Sequence, residues 1–295
     1  MKPCVLGIGE ILWDLLPSGK QLGGAPANFA YHAHALGAET RVVSRVGSDP
    51  LGLEILARLA ALGLPTDGVG VNASAPTGTV SVDVQADGQP RFTIHENVAW
   101  DRIGVDAASL EFAAHANALC FGSLAQRCAA SRAAIRQVIS KTPTTALRVF
   151  DINLRQHFYS RELIESSLAL ANALKLNETE LPVLAELFVL AGDVRAQLAA
   201  LAQRFELRAI ALTRGAHGSL LLADGAWSEH AGLTAKVVDA VGAGDAFTAA
   251  WTLGLLAQQP LDEINQRANE LAAFVCTQPG ATPPLPRDMN TELMK

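Results

Sequence analysis

Cysteine is scarce: Cys4, Cys120, Cys128 and Cys276 are scattered, with no C-x-x-C pair and no histidines at zinc-finger spacing. A disulfide scaffold and a zinc module are thereby excluded, and free thiols in a reducing cytoplasm are expected. Aromatic residues make up only 5% of the chain against 49% hydrophobic residues in all. The interior must therefore be built mainly from Ala, Leu, Val and Ile, a composition that suits layered sheets and helices. Positive charge is also in short supply, since Lys and Arg number 23 against 29 Asp and Glu. No stretch concentrates the basic residues as a nucleic-acid groove requires, so nucleic acid is not an expected partner. Long hydrophobic runs are absent as well: nowhere do 18 uninterrupted apolar residues occur, and the opening MKPCVLGIGE turns acidic after a short apolar run. Neither a signal peptide nor a membrane span is expected, and the protein is read as cytoplasmic.

What is present is material for a large core. A chain of 295 residues can bury roughly three quarters of its unfolded surface. Cys4 to Gly9 and Val42 to Val46 read as buried strands. Between them Asn28 to Leu36 has helical spacing, with Gly37 placed to end the helix. A second helix is capped by Asp49, opened by Pro50 and stopped by Gly63. The pattern then changes: Val80, Val82 and Val84 alternate with polar residues, Asp87-Gly88 supplies a tight turn, and Phe92 and Ile94 alternate again. An antiparallel hairpin inserted among α/β units has one polar face, so a lid is expected, with Ile11 to Leu16 adding a strand. Afterwards Ala118 to Phe121, Val149 to Ile152, Ala173 to Leu176 and Ile210 to Thr213 read as strands separated by helical patterns. A second hairpin, Ser219 to Leu222 and Ala226 to His230, forms a sheet edge before two helices, Ala243 to Gln258 and Leu261 to Thr277. The expected fold is α/β: a mainly parallel central sheet sandwiched by helices, one domain over 1–295, with a small antiparallel β lid from about 11–24 and 77–99.

An acidic chain can bind an anion only through local devices, and one segment has them. In Asp239-Ala-Val-Gly-Ala-Gly-Asp245-Ala-Phe247 two glycines precede a long Ala-rich helix. Free N–H groups at a helix start, with about half a positive charge between them, form a cradle for phosphate. Asp245 would repel phosphate there unless it has another task, and accepting a proton from a hydroxyl is such a task. Read on spacing alone, Gly242 and Gly244 equally form a turn that Asp245 caps. Two other nucleotide motifs are excluded. Gly7-x-Gly9 lacks the third glycine, Gly242-x-Gly244 is followed by Phe247 where Gly or Ala is needed, and Gly19-Lys20 runs into Gln21.

Segment 239–247, together with Gly23-Gly24-Ala-Pro-Ala-Asn28, strongly resembles the paired signatures of the ribokinase-like (PfkB) carbohydrate kinases. Gly9-Glu-Ile-Leu-Trp-Asp14, Asp151-Ile-Asn153-Leu-Arg155, Asn177-Glu-Thr-Glu180 and Thr213-Arg-Gly215-Ala-His-Gly218 match in the same order, so the likeness covers essentially the whole chain. Gly9 to Pro17, Phe121 to Arg127 and Asp151 to Arg155 look most like bacterial fructokinases.

The resemblance implies transfer of the ATP γ-phosphate to a sugar hydroxyl, with ATP and Mg²⁺ as cofactors. Asp245 matches the family's base, and Gly242, Ala243 and Gly244 its anion hole. Asp14, Gly24 and Asn28 match positions that hold sugar hydroxyls, and Arg155 is a candidate for phosphate or substrate charge. A carboxylate suits hydroxyls because it accepts from two at once. Asn177 and Glu180 match an N-x-x-E element that organises Mg²⁺ largely through water, while capping of the following helix is the plain alternative. Thr213, Gly215, Gly218, Cys276 and Gly280 match the nucleotide side. Asp239 matches a residue beside a monovalent cation in relatives. Ala240 and Pro284 stand where relatives carry hydroxyls, which argues against potassium activation. His32, His34 and His95 read as surface or packing residues. The implied partners are a small sugar and ATP, with a homodimer formed through the lid. Fructose, phosphorylated at its 6-hydroxyl, is the expected acceptor. 2-Keto-3-deoxygluconate, another small sugar or a nucleoside is the alternative, and a sugar-binding regulator without catalysis is the reading from another class.

Overall fold

The structure is a computed structural model and describes residues 2–16, 19–84, 90–286 and 289. Nine strands form the main sheet: β1 (Cys4–Ile8), β4 (Glu39–Gly47), β5 (Val69–Asn72), β8 (Ala118–Gly122), β9 (Leu147–Asp151), β10 (Ala173–Asn177), β11 (Ala209–Thr213), β12 (Ser219–Ala223) and β13 (Ala226–His230). Four more, β2 (Leu12–Leu16), β3 (Gly19–Gly23), β6 (Gly78–Val84) and β7 (Pro90–Ile94), form a separate small sheet. Nine α-helices are described: α1 (Ala25–Ala35), α2 (Pro50–Ala61), α3 (Ala107–His115), α4 (Ala129–Lys141), α5 (Arg161–Leu170), α6 (Glu180–Phe188), α7 (Val194–Phe205), α8 (Ala243–Leu256) and α9 (Leu261–Cys276).

The main sheet runs β13-β12-β11-β10-β9-β8-β1-β4-β5. All its pairings from β11 to β5 are parallel, and β12 and β13 return antiparallel at one edge. Both faces are buried, and alternate residues of each strand belong to different cores, as the two-residue period of a strand requires. Leu6, Leu119, Phe150, Leu174 and Ile210 pack on one side with residues of α4, α6 and α7. Val5, Ala118, Val149, Ala173 and Ala211 face α1, α8 and α9 on the other. That second face is lined largely by alanine, which lets α8 lie close to the sheet. Ala246, Ala249, Ala250 and Trp251 of α8 are fully or almost fully buried there.

The second helix begins as its sequence predicts, with the Asp49 side chain accepting the Gly52 N–H at 2.9 Å. Two strands escaped the sequence pattern. β3 is a polar run, Gly-Lys-Gln-Leu-Gly, without clear alternation, and β5 has only four residues. β4 is also longer than the Val42–Val46 core read from hydrophobicity, because Glu39 and Thr40 extend it at its first end. In the small sheet β2 pairs antiparallel with β3 and parallel with β6, and β6 pairs antiparallel with β7. The Asp87-Gly88 turn lies outside the described residues. Side chains of the main body hold this sheet: Gln156 Nε2 donates to the Phe92 carbonyl at 2.7 Å, and Arg127 to the His95 carbonyl at 2.7 Å. Arg127 also pairs with buried Asp101 and lies 3.9 Å from the Trp100 ring centroid.

No helix among the described residues is long and apolar enough to cross a membrane.

Candidate active site

The C-terminal ends of the parallel strands carry the residues singled out above, as ligand sites in open α/β sheets do. Beyond β1, Glu10 precedes β2. Beyond β3, Gly24 leads into α1 with a backbone φ of 118°, and a Cβ there would lie 2.4 Å from the Glu10 carbonyl oxygen. Only glycine fits that turn, which brings Asn28, in the first turns of α1, under the start of α8. Asn28 Nδ2 donates to Asp245 Oδ2 at 2.8 Å. The two signature segments, 217 positions apart in the chain, thus meet in one hydrogen bond. Asn28 is buried, and its Oδ1 has no hydrogen-bond partner. An orphaned buried acceptor carries a desolvation cost, so it marks a place that a hydroxyl donor would fill.

Gly242 ends the approach to α8 in the left-handed conformation, φ 79°, with Ala281 packed 2.6 Å from where a Cβ would be. No side chain caps the helix. The N–H groups of its first turn lack acceptors one helical turn back, with Ala243 N–H making a long 3.4 Å contact to the Ala240 carbonyl. Gly242, Ala243 and Gly244, the residues expected to cradle a phosphate, stand at this start. Asp245 sits in that turn. Burial, reinforced by the nearby Asp151 carboxylate, pushes its carboxyl up to about 6, although Asn28, Lys175 and Arg155 pull the other way. An aspartate in water is only a weak base. The surroundings of Asp245 make it a stronger one, because burial favours the neutral form.

Beneath the cradle lies a group that the sequence reading did not assign. Lys175 is only 6% exposed, and its Nζ is 3.1 Å from Asp151 Oδ1. The same Nζ is 3.1 Å from the Cβ position of Gly244. The available signal was a lone lysine in the otherwise apolar run Ala-Leu-Lys-Leu. Glu10 was also missed: it is buried, one of its carboxylate oxygens is unpartnered, and burial pushes it up to about 7. Its signal was an acid immediately after a buried strand.

Asp14, on β2, makes no side-chain hydrogen bond to another described residue, and burial raises it to about 6 while Arg155 draws it down. Arg155 is exposed in the loop after β9, where Asn153 and Gln156 both have positive φ, and its charge reaches Asp14, Glu10 and Asp245.

Asn177 and Glu180 are tied into the backbone. Asn177 Oδ1 accepts from the N–H groups of Thr179 and Glu180. The Glu180 carboxylate accepts from the N–H groups of Leu154 and Asn177, each at 2.8 Å. The capping alternative is thus realised for Asn177, and Glu180 fastens the Arg155 loop to the end of β10. Asp239 has both oxygens engaged as well, accepting from Val241 N at 3.0 Å and Gly280 N at 3.1 Å. His32, fully buried, bonds through Nε2 to the Ala281 carbonyl at 2.9 Å and is pushed down to about 4 by burial, so it packs as a neutral ring.

Next to the cradle opens a cavity of about 500 Å³ whose lining includes Thr213, Gly215, Gly218, Ala243, Gly244 and Cys276. Of the residues expected to bind the nucleotide, Thr213, Gly215, Gly218 and Cys276 are therefore brought together, whereas Asn177, also expected there, is turned to the Thr179 and Glu180 backbone and Gly280 braces Asp239. Gly218 has φ 77°, and a Cβ there would fall 2.1 Å from the His230 carbonyl oxygen, so the wall is bare backbone by necessity. Ala243 and Gly244 line this cavity while Asp245 beside them bonds Asn28. This cavity and a buried carboxylate thus meet at one helix start.

A glycine-started helix at the C-terminal edge of a parallel sheet, an acid in its first turn and a small β-sheet at the same edge define a ribokinase-like α/β protein. The chain belongs to the PfkB family of carbohydrate kinases, and the match to "pfkB family carbohydrate kinase" spans residues 18–288. It is 30% identical to a fructokinase of Klebsiella pneumoniae, over 95% of each chain. Among solved structures it resembles an uncharacterized sugar kinase of Pyrococcus horikoshii in complex with ATP, with a TM-score of 0.79, 26% identity and 94% of each chain covered. A fructokinase of Xylella fastidiosa with bound ATP has the same fold, with a TM-score of 0.85 at 24% identity, covering 100% of this chain and 98% of that one.

Proposed function

We propose that the chain transfers the γ-phosphoryl group of ATP to the 6-hydroxyl of fructose. The observation that carries this reading is the Asn28–Asp245 hydrogen bond with its orphaned Asn28 oxygen, which puts a hydroxyl-binding amide against a basic carboxylate at the cradle. ATP fits the cavity beside it, with adenosine against the glycine wall and phosphates toward Ala243 and Gly244, and the ATP-bound Pyrococcus relative supports ATP as the nucleotide. Asp245 orients the acceptor hydroxyl and takes its proton as the new bond forms. A loose phosphoryl-transfer transition state asks for this proton only late, so positioning counts for more than basicity. The amides of Gly242, Ala243 and Gly244 hold the negative charge that spreads over the moving group.

Magnesium suits this site as a hydrated ion. The carboxylates of Asp14, Asp151, Glu180 and Asp245 gather near the cations Lys175 and Arg155, an acidic surrounding that a divalent ion would offset. Among the described residues no three His, Cys, Asp or Glu cluster as a metal cage. Glu180 and Asn177, already bonded to backbone, would act only on the ion's waters, and the ion's role when bound with ATP is to neutralise phosphate charge. Each Asp239 oxygen already accepts one backbone N–H and the Ala281 carbonyl bonds His32, while Ala240 and Pro284 stand where relatives carry hydroxyls. No step is assigned to potassium.

One observation favours a second acceptor. Arg155 presents a cation toward Asp14 and Asp245, which would pair with the carboxylate of 2-keto-3-deoxygluconate. Fructose remains the first reading because Asp14, ionised at neutral pH, would repel that acid and accept two sugar hydroxyls instead.

A substrate panel with ATP and Mg²⁺ tests this. Fructose is expected to give the highest kcat/KM among fructose, ribose, 2-keto-3-deoxygluconate and adenosine. Asp245→Ala is expected to lower turnover by about 10² to 10⁴ with ATP binding nearly intact. A preference for the keto-acid would replace the acceptor, and no turnover of any sugar would favour a binding protein.

A further inference from the structure

We propose that Lys175 and Asp151 are a positioning pair for Asp245, a buried ion pair that braces the first turn of α8 from below and sets the electric field at its carboxylate. The inference rests on the reading of Asp245 as the base.

The pair is built by strand register. Asp151 and Lys175 are direct partners on the parallel strands β9 and β10, so their side chains leave the sheet on the same side, toward α8. The neighbours of like parity, Val149 and Ala173, lie in the apolar core under α8. Two charges therefore stand where the pattern calls for apolar residues. Burial costs both of them solvation, and each is retained only because the other is there. The ammonium is held above its ordinary range: burial alone would lower it, but Asp151, Glu180 and Asp245 outweigh that.

Both partners touch the turn that carries the base. Thr248 Oγ1 lies 3.1 Å from Asp151 Oδ2 and 2.8 Å from the Gly244 carbonyl, so one hydroxyl proton is shared between the aspartate and the turn that carries Asp245. Lys175 Nζ lies directly under Gly244, whose missing side chain leaves it room. The two charges act on Asp245 in opposite directions: Asp151 favours its protonated form and Lys175 its carboxylate. The other titratable groups facing Asp245 are Glu10 from the segment after β1, Arg155 from the loop after β9 and the Cys120 thiol of β8, which burial keeps neutral. The only polar side chain facing it from α1 is the neutral Asn28. Glu180, on α6, acts on Lys175. Neither member of the pair accepts the sugar's proton, so both are positioning residues.

The test uses a property that packing alone does not produce, namely movement of opposite sign. Asp151→Asn removes the anion at nearly constant shape, Lys175→Met removes the cation, and the double variant removes both without leaving a buried unpaired charge. The acid limb of the kcat/KM profile is expected to move down by about one pH unit in Asp151→Asn and up by about one in Lys175→Met. In the double variant it is expected to lie between them. Carbon-13 titration of labelled aspartate carboxyls in the ligand-free protein, with Asp245→Asn to assign the resonance, reads the same field without turnover. If Lys175→Met does not fold, Asp151→Asn and the double variant still order the midpoints. Shifts in one common direction, or none, overturn the pair. Opposite shifts in the titration without matching shifts in the rate profile uphold the pair and overturn the base assignment.

Discussion

Asp245 is a carboxylate that the folded protein holds against its preference. Because burial raises it to about 6, the native state binds this proton more tightly than the unfolded chain does. The associated stability is fully present below the ordinary aspartate value, fades as pH rises, and is lost above about 6. At pH 8 the fold therefore carries an ionised acid that its packing disfavours and that the proposed base role requires. Asparagine has the shape of the protonated acid, and its oxygen can still accept from Asn28. Asp245→Asn is expected to raise the melting temperature by about 2–5 °C at pH 8, with the gain vanishing near pH 4, while kinase turnover collapses. Calorimetry at the two pH values checks this, and equal melting temperatures at pH 8 would show that the native carboxylate is not strained. Asp14, also raised by burial, remains in both proteins and cancels in the comparison, whereas Glu10, which the Asp245 charge helps to raise, titrates lower in the variant and adds to the gain at pH 8.

At the scale of elements, the start of α8 has a geometry suited to the proposed cradle. Gly242 combines a positive φ with a wall of Ala281 atoms. That wall is held from α1, where Tyr31 donates to the Pro283 carbonyl at 2.8 Å and His32 bonds to that of Ala281. A methyl group on residue 242 must push the wall away or turn the first N–H groups aside. Gly242→Ala is expected to lower kcat by about 10² or more, the scale of losing a donor to transition-state charge. Gly225→Ala is the control: its φ of 83° is equally unfavourable, but nothing lies within 4 Å of its Cβ position. It is expected to cost stability and leave kcat unchanged, so steady-state kinetics on the pair separates backbone strain from damage to the cradle.

At the scale of the molecule, the small sheet ends in two edges, β3 and β7, and an edge strand with free backbone groups invites pairing. Leu15 and Phe92 leave apolar surface exposed on it, 37% and 51% respectively. Sedimentation at micromolar concentration is expected to give a homodimer joined through this sheet, with Phe92→Asp shifting it toward monomer. A wild-type monomer would remove the dimer and leave the kinase chemistry untouched. Much of this architecture was legible in the chain. The alternation of short apolar runs with helical spacing gave the parallel sheet, and the glycines before α8 gave the cradle, because periodicity and backbone freedom are local properties. β3 and β5 were not legible, being too polar or too short to repeat a pattern. Nor was the bond between Asn28 and Asp245, the closure of the Glu180 carboxylate onto backbone, or the placement of Lys175 under Gly244. Those depend on which strand lies beside which and on how much water is excluded. A lysine's charge, an acid's proton affinity and an amide's unmet hydrogen bond acquire their values only when distant segments pack around them.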